Sequence, residues 1–111
     1  MTETDYLQKI EEAFSWVEDL VESWNETHDW VLECHRQGSV LETEFEDGQK
    51  IITNAQAPTQ QLWLASISGA HHFVLENQEG RSVWLDTRGQ GRFEDIFLAH
   101  AQHILGQSPS A

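Results

Sequence analysis

The chain has 111 residues, enough for one domain whose core hides roughly two-thirds of the unfolded surface. Hydrophobic residues make up 39% and aromatic residues 10%, which excludes a disordered tail and predicts a globular fold. With 6 Lys+Arg against 19 Asp+Glu the formal charge is −13, so neither nucleic-acid phosphates nor an anionic membrane surface is an expected partner.

The chain opens Met1-Thr2-Glu3-Thr4-Asp5, without the basic start of a signal or transit peptide. Residues 4–24 then carry apolar side chains at Leu7, Ile10, Phe14, Val17, Val21 and Trp24, the spacing of an amphipathic helix, with Thr4 or Asp5 as its N-cap. At 100° per residue Glu11, Glu12, Ser15, Glu18, Asp19, Glu22 and Glu26 fall in one stripe about 120° wide. Like charges at i,i+4, such as Glu18 and Glu22, cost on the order of 0.2–0.5 kcal/mol. The charge is also uneven along the chain, since residues 1–47 hold 14 acids and 2 bases. Such a stripe is either a plain solvated face or a site for a cation or a basic partner; composition does not choose.

Residues 30–86 alternate like strands. Val31 to Arg36 forms the first and turns at Gln37-Gly38. Val40 to Phe45 puts Leu41, Thr43 and Phe45 on one face and Glu42, Glu44 and Glu46 on the other. Parity sets the next register. A two-residue Asp47-Gly48 loop would bring Lys50 and Asn54 to the Phe45 face. A three-residue loop, Glu46-Asp47-Gly48 with Gly48 left-handed, brings Ile51 and Thr53 there and keeps Lys50 out of the core. Ile52, Asn54 and Gln56 then point away from the helices. Pro58 interrupts the strands, which resume at Gln61–Ala65, His71–Glu76 and Ser82–Asp86.

Residues 92–105 read as a second helix, buried through Phe93, Ile96, Phe97, His100, Ala101 and Ile104, with Gly106 suited to its C-cap. Short connections favour antiparallel pairing. The expected architecture is α+β, a two-layer α-β sandwich. N- and C-terminal helices cover one face of a five- to six-stranded antiparallel sheet, in a single domain with a core of about residues 4–105.

The run Gly48 to Ala65, GQKIITNAQAPTQQLWLA, carries an Asn-x-Gln-x-Pro strand end followed by Gln-Leu-Trp-Leu. In this pattern, its element order, its acidic first helix and its Gly38 and Gly48 turns, the chain resembles the frataxin family, in its bacterial CyaY branch, over about residues 4–105. The resemblance implies the same sandwich fold. It also implies weak iron binding by acids of the first helix and the neighbouring strand edge, and a part in iron–sulfur cluster assembly. The implied partners are a cysteine desulfurase, whose activity it modulates, and the scaffold protein; the implied state is a monomer or an iron-dependent oligomer. Carried onto this chain, the ridge is Glu18, Asp19 and Glu22, with Glu11, Asp29 and Glu33 as neighbours. Ser23, Asn25 and Thr27 are neutral where related chains carry acids, and Glu26 stands in for them. Trp84 is displaced by one position from the tryptophan the resemblance expects, which implies either an aromatic on the other sheet face or a bulge.

Carboxylate oxygens hold Fe²⁺ or Fe³⁺ weakly and without strong selectivity over other divalent ions. The same ridge, through Glu18, Asp19 and Glu22, can steer a basic partner. On the solvent face of the sheet, Trp63 among Asn54, Gln56 and Gln61 is a candidate protein-contact site. The histidines are weaker signals. His71 and His72 face opposite sides of their strand, His100 belongs to the core, and His28 beside Asp29 is a possible cation helper. Cys34, the one cysteine, excludes an intramolecular disulfide and a Cys-rich metal site, and is expected as a buried, inert thiol. No nucleophile triad motif, phosphate loop or HExxH helix occurs, so no conventional enzyme active site is expected. Three functions compete: an iron-binding regulator of iron–sulfur assembly, an acidic adaptor whose metal binding is incidental, and an iron-oxidising enzyme. The first leads, and the cytoplasm is its expected location.

Overall fold

The computed structural model describes residues 2–109. Helix α1 (Glu3–His28) is followed by strands β1 (Glu33–Gln37), β2 (Val40–Glu44), β3 (Lys50–Gln56), β4 (Gln61–Ser66), β5 (Gly69–Gln78) and β6 (Arg81–Asp86), then helix α2 (Phe93–Leu105). The strands form one antiparallel meander in the order of the sequence, six strands wide. Both helices pack on one face, the two-layer sandwich that the pattern predicts.

Helix α1 is longer at both ends than its apolar spacing indicates. Its N-cap is Thr2, whose hydroxyl accepts from Asp5 N–H at 3.1 Å, so Thr4 and Asp5 are helical. It runs past Trp24 through four residues that add nothing to the buried stripe, and ends at Asp29 in the left-handed region (φ 58°). Strand β1 starts two residues later than expected. Asn25 explains this by clamping the backbone of Leu32 from both sides, Nδ2 to the carbonyl and Oδ1 from the N–H, each at 2.9 Å. That backbone is satisfied by a side chain and needs no strand partner.

The β2–β3 loop is the three-residue one. Phe45 N–H donates to Gln49 O, Gly48 sits at φ 88°, and Thr43 faces Ile51 while Leu41 faces Thr53. All four are fully buried, and Lys50 stays outside, paired with Glu42 at 3.0 Å. Pro58 lies in a short 3₁₀ turn, Ala57–Thr59. Trp84 is directly opposite Leu75 in an unbroken ladder, so there is no bulge. Its ring faces the helices, edge-on to Tyr6 at 6.1 Å. Trp16 locks the two helices together through edge contacts with Phe93 and Phe97. The other face of the sheet carries Ile52, Asn54, Trp63 and His72, and no element among the described residues covers it. No helix among the described residues is long and apolar enough to cross a membrane.

Candidate functional site: an acidic edge and an amide–tryptophan face

The acidic stripe predicted on the first helix divides into parts with different surroundings. Glu18, Glu22 and Glu26 rise one turn apart along α1. With Val21, Asn25, Leu32 and Cys34 they line a cleft of about 380 Å³ between α1 and β1. Asp19 is exposed on the same helix, and Asp29 is exposed at its C-cap. Among the described residues no Lys, Arg or His lies in ion-pair contact with Glu18, Asp19, Glu22, Glu26 or Asp29.

Glu11 behaves differently. Arg36 of β1 grips it at two points, Nη1 to Oε1 at 2.8 Å and Nη2 to Oε2, and this hydrogen-bonded cation holds the Glu11 carboxyl below its usual range. Arg36 also lies over the Phe14 ring at 5.0 Å. Glu11 is thus a structural partner of β1 rather than a free member of the ridge.

Glu33 is also set apart from the helix carboxylates. Alternation along β1 turns Cys34 toward the cleft and Glu33 toward the opposite, open face. There Glu33 is the register partner of Glu44, and His35 Nε2 lies 3.1 Å from Glu33 and 3.4 Å from Glu44. One donor atom from each of the three residues falls within 4.8 Å of the others, a mixed carboxylate–imidazole set able to hold a metal ion. The sequence reading missed His35 and Glu44. Their signal was the β1–β2 hairpin. A two-residue loop at Gly38-Ser39 makes Gln37 face Val40, and counting back from that pair brings Glu33 opposite Glu44. Negative charge therefore wraps around edge strand β1, on the cleft side and on the open side.

Cys34 is half-buried, with its sulfur 3.8 Å from Thr43 Oγ1. Burial pushes its thiol up, with the Glu18 charge acting in the same direction, so the thiolate is scarce near neutral pH. His28 stacks on Trp30 at 4.1 Å, beside the helix end.

Across the open face, Asn54, Gln56, Gln61 and Trp63 come together as two cross-strand pairs, Asn54 with Trp63 and Gln56 with Gln61. The Trp63 indole N–H donates to Gln61 Oε1 at 2.7 Å, and its ring lies flat on His72 at 4.1 Å and 11°. His72, which the sequence reading did not place in this group, is the register partner of Trp63. The tryptophan is held against the sheet, half-exposed, beside a shallow apolar depression lined by Ile52, Ala65 and Ala70.

Comparison with known proteins agrees with this architecture. A sequence profile described as a frataxin-like domain matches residues 1–107. A protein of Bordetella avium named iron-sulfur cluster assembly protein CyaY is 41% identical over 86% of this chain and 84% of its own. One of the same name from Janthinobacterium sp. is 43% identical over 96% of this chain and 90% of its own. Two solved structures, each 24% identical, share the fold. Frataxin from Psychromonas ingrahamii covers 99% of this chain and 97% of its own with a TM-score of 0.73. The trimeric frataxin of Saccharomyces cerevisiae, complexed with ferrous iron, covers 88% and 86% with a TM-score of 0.67. A matched profile over nearly the whole chain, relatives above 40% identity and a shared six-stranded sandwich lead to one conclusion: the chain belongs to the frataxin-like family.

Proposed function

We propose that this protein takes part in iron–sulfur cluster assembly as a binding and regulatory protein rather than an enzyme. In this role it captures iron weakly at its acidic edge and docks on assembly proteins through its open face. The observation that carries the proposal is the row Glu18, Glu22 and Glu26 over one cleft, with no ion-pair contact to a base among the described residues. Packing like charges on consecutive turns is unfavourable in the free protein, and a bound cation relieves it. Asp19 and Asp29 extend that field, and Glu33, His35 and Glu44 add a second donor set beyond the strand. Oxygen donors with one imidazole suit Fe²⁺ or Fe³⁺ as exchangeable cargo, and exposure keeps affinity low. The names of the relatives and the iron complex of the yeast frataxin support the assignment.

The partners are a cysteine desulfurase and the scaffold on which clusters form. Glu18, Asp19 and Glu22 attract a basic surface, and Trp63 with Asn54, Gln56 and Gln61 supplies a flat amide-rimmed contact. The protein works in the cytoplasm, a compartment that the unpaired Cys34 suits, as a monomer or as an oligomer formed with iron. A second reading, an acidic adaptor whose metal binding is incidental, is favoured by the exposure of Asp19 and Asp29, which offers charge without a pocket.

Titration of the Glu18→Gln/Glu22→Gln double variant separates the two. Loss of the iron response together with desulfurase regulation, while iron-free desulfurase binding is retained, supports iron-dependent regulation; loss of iron-free binding as well supports the adaptor. Loss of iron response alone, with binding and regulation intact, assigns the ridge to metal and leaves regulation to the open face.

A further inference from the structure

Away from the acidic edge, four polar side chains form a chain beneath the C-terminal half of α2. Asp86, at the end of β6, is almost wholly buried, and its Oδ2 accepts the N–H groups of Arg88 and Gln90 at 3.1 and 3.0 Å. Its Oδ1 lies 3.6 Å from Nδ1 of His71 on β5. The His71 ring meets that of His100 edge-on at 5.2 Å. His100, on the buried side of α2 and 4% exposed, has its Nδ1 at 2.5 Å from Ser66 Oγ at the end of β4, and Ser66 Oγ also accepts the N–H of Ser68.

The two imidazoles are not equivalent. His71 has the buried Asp86 carboxylate beside its Nδ1. Among the described residues the His100 ring nitrogens are bonded only to a hydroxyl, in a buried site that meets His71 between α2 and the sheet and has His103 along its own helix. The titratable groups acting on it are two other histidines, and Asp86 lies beyond His71.

We infer that Asp86, His71, His100 and Ser66 form a proton-operated latch, in which neutral His100 holds the C-terminal half of α2 on the β4–β5 hairpin and protonation releases it. Burial, with His71 and His103 acting in the same direction, keeps the His100 imidazole below the ordinary histidine range while the helix is docked. The released helix takes the proton more readily, so acidification favours release. From about pH 6.5 downward, until the docked value is reached, each pH unit multiplies the released population up to about tenfold. Ser66 and His71 belong to the hairpin whose other face carries Trp63 and His72, so the latch bears on the strands beneath the open face.

The test is performed on the full chain by NMR, following each imidazole through pH and amide exchange of residues 99–105 at pH 7.5 and 5.5. The expected result is a His100 midpoint below the ordinary histidine value of about 6.5, and exchange at 99–105 that gains on that of α1 at pH 5.5. His71→Gln raises the His100 midpoint, and His100→Leu abolishes the pH-dependent gain. A His100 midpoint at or above about 6.5, an unchanged His100 midpoint in His71→Gln, or wild-type exchange at 99–105 that does not gain on that of α1 at pH 5.5, overturns the latch. Should His100→Leu fail to fold, the wild-type exchange and the wild-type and His71→Gln titrations decide.

Discussion

Arg36 holds Glu11 in a two-point ion pair that ties the edge strand to the first helix and withdraws one carboxylate from the stripe. The consequence is testable from both sides of the pair. Glu11→Gln leaves the iron titration unchanged, because that carboxylate is already occupied. Arg36→Gln frees Glu11 beside Glu18 and strengthens iron binding. Calorimetric titration of both variants checks the pair, and weaker iron binding in Glu11→Gln would return Glu11 to the ridge.

The Asn25 clamp on Leu32 sets where β1 begins and ties the strand's entry to α1 beside the cleft that Cys34 lines. Asn25→Ala removes two hydrogen bonds and leaves the Leu32 N–H and carbonyl to find other partners. We expect a loss of about 1–3 kcal/mol in urea unfolding. Iron response should weaken at the cleft while the Trp63 face keeps its chemical shifts.

Tyr6 reaches across from the first turns of α1 to donate its hydroxyl to Gln61 O at 2.7 Å. Burial raises its phenol above the ordinary value, so the folded protein retains the proton longer than the unfolded chain does. Stability contributed by this group is complete below about pH 10 and is lost as pH rises from there through the folded value. Tyr6→Phe costs about 1 kcal/mol at neutral pH and removes that part of the alkaline loss. Urea midpoints at pH 7 and 10.5 measure both effects, and an unaltered alkaline slope in Tyr6→Phe contradicts them.

Trp63 is presented flat by His72 and Gln61, ready for a partner to cover its free ring face. Trp63→Ala should weaken desulfurase or scaffold binding by tenfold or more, the magnitude of an aromatic hot spot, while iron titration is unchanged. Surface binding measurements with matched unfolding curves check this. Equal affinity at equal stability removes Trp63 from the interface.

What was legible in the sequence follows from the range of the interactions involved. Alternation and loop parity are local. They placed Leu41, Thr43, Ile51 and Thr53 in the core and selected the loop ending at Gly48, because the alternative would have buried Lys50. The same counting applied across Gly38-Ser39 reaches Glu33, His35 and Glu44, so that cluster was accessible and went unread. The last turn of α1 was hidden because Asn25, Glu26, Thr27 and His28 carry no apolar signal; a side-chain clamp and a left-handed cap define that end instead. The Arg36–Glu11 pair joins residues 25 apart in the chain, and no periodicity reports such a contact.

The central claim is that cations gather where carboxylates crowd around edge strand β1. Fe²⁺ is paramagnetic, so adding it to isotopically labelled protein erases amide signals close to wherever it binds. We predict losses concentrated at residues 18–35 and at Glu44, with β5, β6 and α2 untouched. Uniform broadening, or losses centred on the Trp63 face or the far end of the sheet, would contradict the account.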